Sequence, residues 1–120
     1  MIYIKTLLRH CLLLATLAAP LFSHGQDGPQ PRLDTIDLTA GMHIIKAEVA
    51  QSGEQQMTGM MFRRSMGTNE GMLFVNPGSE RRCFWMRNTL IPLAIAFIAD
   101  DGTIVNITEM QPQSDQSHCS

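Results

Sequence analysis

Leu93 to Ala99 is an unbroken apolar run that stops at Asp100-Asp101-Gly102, after which Thr103 to Met110 forms a second run of similar length. Each run has strand length, and the Asp-Gly pair between them supplies residues that tolerate the backbone angles of a tight turn, so this part of the chain is a β-hairpin. With a two-residue Asp101-Gly102 loop, Phe97 faces Asn106 and Ile98 faces Val105. The first run is apolar on both faces, which predicts a centrally placed strand.

A second hairpin is expected nearer the N-terminus. Ile36 and Leu38 alternate with polar residues, and Ile45, Ala47 and Val49 share one face opposite Ile44, Lys46 and Glu48, with Ala40-Gly41 as the turn. Ser52-Gly53-Glu54-Gln55 fits a capping box, which predicts a short helix ending near Arg63. On that helix Met57, Met60 and Met61 form one apolar stripe. Gly59 within it implies close approach of a neighbouring chain segment. Met72 to Val75 reads as a short strand stopped by Asn76-Pro77-Gly78, and Cys83 to Arg87 as another. Gln111-Pro112 ends the pairing. The pattern is mainly β (small α+β): an antiparallel, barrel-like sheet with one short helix and no internal repeat.

The N-terminus is different in kind. Lys5, Arg9 and His10 precede Cys11 to Phe22, an apolar run too short to span a bilayer and interrupted by Pro20, and small residues surround a cleavage point after Gly25. Residues 1–25 are therefore expected to be a signal peptide, with an uncleaved anchor as the alternative. The membrane would be met only through this segment, and the mature protein would be periplasmic or extracellular. Residues 26–32 form a polar, Pro-containing linker without fixed structure, and 33–120 a single domain. Losing Lys5 and Arg9 takes the formal charge from -2 to -4. Arg63-Arg64 and Arg81-Arg82 are too sparse to track a phosphate backbone, so nucleic acid is not an expected partner.

The densest chemistry lies in Cys83-Phe84-Trp85-Met86-Arg87-Asn88-Thr89-Leu90-Ile91-Pro92-Leu93. Together with Gly59-Met60-Met61-Phe62-Arg63 and Gly71-Met72-Leu73-Phe74, this stretch resembles the bacterial family called domain of unknown function 192, from about Ile36 to Ser120. The resemblance implies no established activity. Family members usually carry an Asp after the Pro-Leu pair, where this chain has Ala94, so that carboxylate has no counterpart here. They also usually continue past the position of Ser120 through at least one more strand. That implies missing C-terminal strands, an uncovered sheet edge and a route to self-association.

Cys83 and Cys119 are an even count in an oxidising compartment, which favours a disulfide over two independent thiols. Nucleophilic catalysis finds no Gly-x-Ser-x-Gly elbow, and His43 and His118 belong to no catalytic motif, which leaves an unrecognised hydrolase as an alternative. The mature methionines (Met42, Met57, Met60, Met61, Met66, Met72, Met86 and Met110) would suit an extracytoplasmic Cu(I) carrier, yet thioethers also fill gaps in small cores. No other metal or cofactor is called for. The remaining candidate is a binding site for a small molecule or peptide made by Trp85, Arg87, Asn88 and Thr89, with Arg63 contributed from the end of the helix. The architectural alternative makes Trp85 core, pairs Arg87 with Glu70 or Glu109, and uses Asn88 and Thr89 to cap a turn. A buried indole is expected under both readings.

Overall fold

Gly41 takes φ +60° at the first position of a two-residue Gly41-Met42 loop, the arrangement a type II′ hairpin turn requires, and this sets the register of everything upstream of the helix. The structure, a computed structural model, describes residues 28–120; the expected signal peptide and its cleavage point lie outside the described residues. β1 (Thr35–Ala40) pairs antiparallel with β2 (His43–Ala50), from Thr35 opposite Glu48 to Ala40 opposite His43. The turn therefore falls one residue later than Ala40-Gly41. Ala47 is buried, as the alternation predicts, but so are Glu48 and Ala50 on the opposite face. This sheet is covered on both sides.

The helix α1 (Gly53–Thr58) starts as expected. Ser52 Oγ accepts from the Gln55 amide at 3.1 Å, and Gln55 Oε1 accepts from the Ser52 amide at 3.1 Å. It ends five residues before Arg63, because Gly59 turns to φ +48° and leaves the helical path. The methionine stripe does not form as a result: Met57 is 79% exposed, whereas Met60 is buried beyond the helix. Gly59 does meet a neighbour closely. A Cβ there would lie 3.2 Å from Phe74 Cζ. The exposed carbonyls at this helix end are taken by Gln30, whose side-chain amide donates to Gln55 O at 3.0 Å and Gly59 O at 2.9 Å. Part of the segment expected to be an unstructured linker is thus anchored, since Gln30 and Arg32 both hold fixed partners.

β3 (Glu70–Phe74) runs parallel to β2, so the three-stranded sheet β1-β2-β3 is mixed rather than wholly antiparallel. The crossover between them contains α1, as a parallel connection demands. β4 (Cys83–Phe84) pairs with β7 (His118–Cys119), and β5 (Leu93–Ile98) with β6 (Ile104–Met110), all antiparallel. The fold is mainly β with one short helix, but its sheets are not closed into a barrel. Instead Phe74, Phe84 and Phe97, one from each sheet, form a chain of ring contacts with centroids 5.1 and 6.1 Å apart. Aromatic packing joins sheets that hydrogen bonds leave separate.

Phe97 faces Asn106 as predicted, whereas Ile98 pairs with Ile104 and Val105 becomes the bulged residue. The cause is a three-residue loop: Ala99 N donates to Thr103 O, Gly102 N donates to Ala99 O, and Gly102 sits at φ +87°. β5 is not central, since it pairs with β6 alone. The strand expected at Cys83–Arg87 stops at Phe84 because residues 86–89 turn, with Thr89 N donating to Met86 O at 3.0 Å.

The C-terminal segment lies along residues 82–89. Met86 N donates to Ser114 O, Gln113 N to Thr89 O and Ser120 N to Arg82 O, and the Cys83–Cys119 disulfide fastens the end. Cys83 and Cys119 are direct cross-strand partners. Replacing both with Ser should lower stability by roughly 4 kcal/mol in urea denaturation, the chain-entropy value for a loop of this length. A loss below about 1 kcal/mol would show that the bridge adds little to the noncovalent contacts.

Candidate functional site

Two groups of polar side chains stand out, and they do not coincide. The first is built on Glu48 of β2, which the alternation of the strand points away from the core side. The crossover after α1 folds back over that face and delivers Arg63. Glu48 is 3% exposed and Arg63 5% exposed. Both Arg63 terminal nitrogens engage the carboxylate, Nη1 on Oε1 and Nη2 on Oε2, the latter at 2.9 Å. Leu33 N donates to Oε2 at 2.8 Å and Arg32 Nη1 to Oε1 at 3.0 Å. Burial pushes the Glu48 carboxyl up, but the hydrogen bonds from Arg63, Leu33 and Arg32 and the Arg63 charge outweigh it and lower its pKa from 4.5 to about 2. Such a carboxylate stays ionised and saturated with donors. It acts as a structural anchor, with no proton to give or take near neutral pH.

The second group is the expected one, in part. Trp85 is 47% exposed, so the indole is not the buried core residue that both readings assumed. The Arg87 guanidinium lies 4.0 Å from the Trp85 ring centroid, and its Nε donates to Asp115 at 3.0 Å. Neither Glu70 nor Glu109 is the partner. Asn88 adopts φ +54°, a conformation Asn tolerates better than most residues, and its backbone carbonyl accepts from Phe62 N at 2.8 Å. Its side-chain amide has no partner among the described residues.

The other two candidates are placed elsewhere. Thr89 is buried, and its hydroxyl donates to Arg87 O at 3.2 Å, closing the turn. Arg63 is consumed by Glu48 and takes no part in the Trp85 group. Sequence reading missed Glu48 and Arg32. Strand alternation assigns a face to Glu48 but says nothing of what covers that face. No local signal in the sequence marks the contact.

Magnitudes separate the two groups. Breaking a buried ion pair costs about 3 to 5 kcal/mol, because the surviving charge is left without compensation. An exposed cation–π contact and a surface ion pair contribute about 1 kcal/mol each at most. The Glu48 group therefore holds the fold, and the Trp85 group is not needed for it.

The domain of unknown function 192 family model, described as an uncharacterized ACR, matches residues 36–120, and the chain belongs to that family. Two solved structures are similar. One is a Sinorhizobium meliloti 1021 protein described only provisionally as a transcription regulator, 32% identical, with TM-score 0.69 over 76% of this chain and 75% of the other. The second is a protein of unknown function from Novosphingobium aromaticivorans DSM 12444, 31% identical, with TM-score 0.69 over 78% and 71%. No curated protein matches this chain significantly.

A folded-state pKa below the unfolded value means that stability is present above pH 4.5 and lost as pH falls toward 2. The shift corresponds to about 3 kcal/mol. Glu48→Gln should be less stable than the parent at pH 7 and converge with it on acidification, as followed by urea denaturation at stepped pH. Parallel acid profiles for the two proteins would contradict this role for Glu48.

Proposed function

We propose that this protein is an exported, non-enzymatic binding domain that presents Trp85, Arg87 and Asn88 to a small molecule or peptide. The observation that carries the reading is the half-exposed Trp85 with Arg87 laid across it, in a segment otherwise clamped in place. Phe62 fixes Asn88 from one side, and the C-terminal segment and its disulfide fix residues 83–89 from the other. A rigid backbone carrying exposed, weakly engaged side chains is a pre-organised surface, which lowers the ordering cost of binding.

Each side chain has a distinct capacity. Arg87 meets Asp115 through Nε, leaving its two terminal amino groups as a fork for a ligand carboxylate. The free Asn88 amide can donate to and accept from a peptide backbone, and the Trp85 ring offers an apolar wall. The disulfide supports export, because such bonds persist in oxidising compartments. It also occupies both mature thiols, and the buried carboxylate is held ionised, so neither offers a nucleophile or proton shuttle. The separation of Met42 in a hairpin turn, Met57 on the exposed side of α1, and Met86 and Met110 in the core disfavours a single copper-carrying thioether cluster.

Trp85 is the only Trp in the chain, so its emission reports on this surface directly. Titration with short peptides pairing a Glu or Asp with an aromatic residue should change that emission saturably, and Arg87→Ala should abolish the change. The same substitution should cost less than about 1 kcal/mol in thermal denaturation, as should Trp85→Ala. A peptide response that survives in Arg87→Ala, or a stability loss of about 3 kcal/mol at Trp85, would assign these residues to the scaffold instead.

A further inference from the structure

A second cleft, of about 250 Å³, opens on the polar face of the three-stranded sheet and shares no lining residue with the Trp85 surface. Thr35 and Glu48 are cross-strand partners on its floor, Lys46 lies two residues along the same strand, and Glu70 is the β3 partner of Lys46. Side chains at these positions share one face. Met60 and Met66 from the crossover form an apolar wall, and Arg32 leans in from the anchored N-terminal arm.

The charges of this cleft do not cancel. Arg63 engages both Glu48 oxygens through its two terminal nitrogens. Glu70 stands 3.9 Å from Arg32 and spends its Oε2 on the Gly67 amide at 2.9 Å. No carboxylate of a described residue lies within ion-pair distance of the Lys46 ammonium, and Asp37, its partner on β1, is not part of the lining. Arg32, Lys46, Glu48 and Glu70 line the cleft, and because Arg63, outside the lining, already neutralises Glu48, one positive charge is left over. A ligand entering here meets an unpaired ammonium, an exposed guanidinium and a thioether wall. At roughly 30 Å³ per water-sized unit the space suits about eight non-hydrogen atoms.

We infer that this cleft binds a small aliphatic carboxylate, its anionic end on Lys46 and Arg32 and its apolar chain against Met60 and Met66. The opposite orientation would bury a carboxylate against thioethers and leave Lys46 unpaired, which desolvation disfavours. Glu48 is closed to a ligand cation, because its oxygens are already filled by Arg63, Arg32 and the Leu33 amide.

Hexanoate has the required size and charge, and hexylamine has a similar chain with the opposite charge. In carbon-13 methyl spectra of the disulfide-intact protein, hexanoate should shift the Met60 and Met66 resonances saturably, with a dissociation constant on the order of millimolar for so small a ligand. Hexylamine should not. Lys46→Gln, on an exposed strand position, should weaken hexanoate binding by about fivefold or more without unfolding the protein. Absence of a saturable shift up to about 50 mM hexanoate, equal response to hexylamine, or an unchanged dissociation constant in Lys46→Gln would overturn the assignment. Trp85 emission is read in parallel, so failure here is distinguishable from failure of the Trp85 surface.

Discussion

The buried Glu48–Arg63 pair is the interaction on which the rest of the structure depends. It joins three stretches of chain that no ladder connects: β2, the crossover after α1, and the N-terminal arm through Arg32 and the Leu33 amide. A charge is tolerated at such depth only when every lone pair is engaged, and Glu48 meets that condition with two donors from the crossover and two from the N-terminal arm. The arrangement is specific in a way that apolar packing is not. Replacing Glu48 strands Arg63, and replacing Arg63 removes two of the four donors to Glu48, so the crossover has one favourable position over the sheet.

From that anchor the position of the exposed surface follows. Arg63 fixes the chain at residue 63, the preceding Phe62 amide holds the carbonyl of Asn88, and Asn88 takes the left-handed conformation that turns Trp85 and Arg87 outward. The other side of the same segment is held by the C-terminal stretch and the Cys83–Cys119 bridge. Phe74, Phe84 and Phe97 complete the frame by packing one ring from each sheet. Three small sheets with little shared hydrogen bonding are thereby made into one body. The two candidate binding features, the Trp85 surface and the Lys46 cleft, sit on opposite dependents of the same ion pair: one follows residue 62, the other uses the sheet face beneath Arg63.

What the sequence disclosed, it disclosed locally. Both hairpins are legible because Gly41 and Gly102 supply the positive φ their turns need, and the Phe97–Asn106 register follows from the second turn to within the Val105 bulge. The capping box at Ser52 and Gln55 is a four-residue signal and forms as read. The Cys83–Cys119 bond is the pairing that the expectation of an oxidising compartment and an even cysteine count point to. The failures are long-range. Helix termination at Gly59, the parallel pairing of β3 with β2 and the burial of Glu48 all depend on where the crossover lands, which periodicity does not encode. Of the five expected site residues, Trp85, Arg87 and Asn88 share an exposed surface because they are adjacent in sequence. Arg63 is claimed by Glu48, fifteen positions away, and Thr89 by the turn it closes.

The ion pair is tested most directly by a double-mutant cycle on the disulfide-intact protein, with Glu48→Gln, Arg63→Met and the combined variant compared by urea denaturation at neutral pH. If the pair organises the fold as described, each single substitution costs about 3 to 5 kcal/mol and the combined variant costs less than their sum, by about 2 kcal/mol or more. Single losses below about 1 kcal/mol that simply add would mean that Glu48 and Arg63 are independent, and the account of the fold built on their pairing would be wrong.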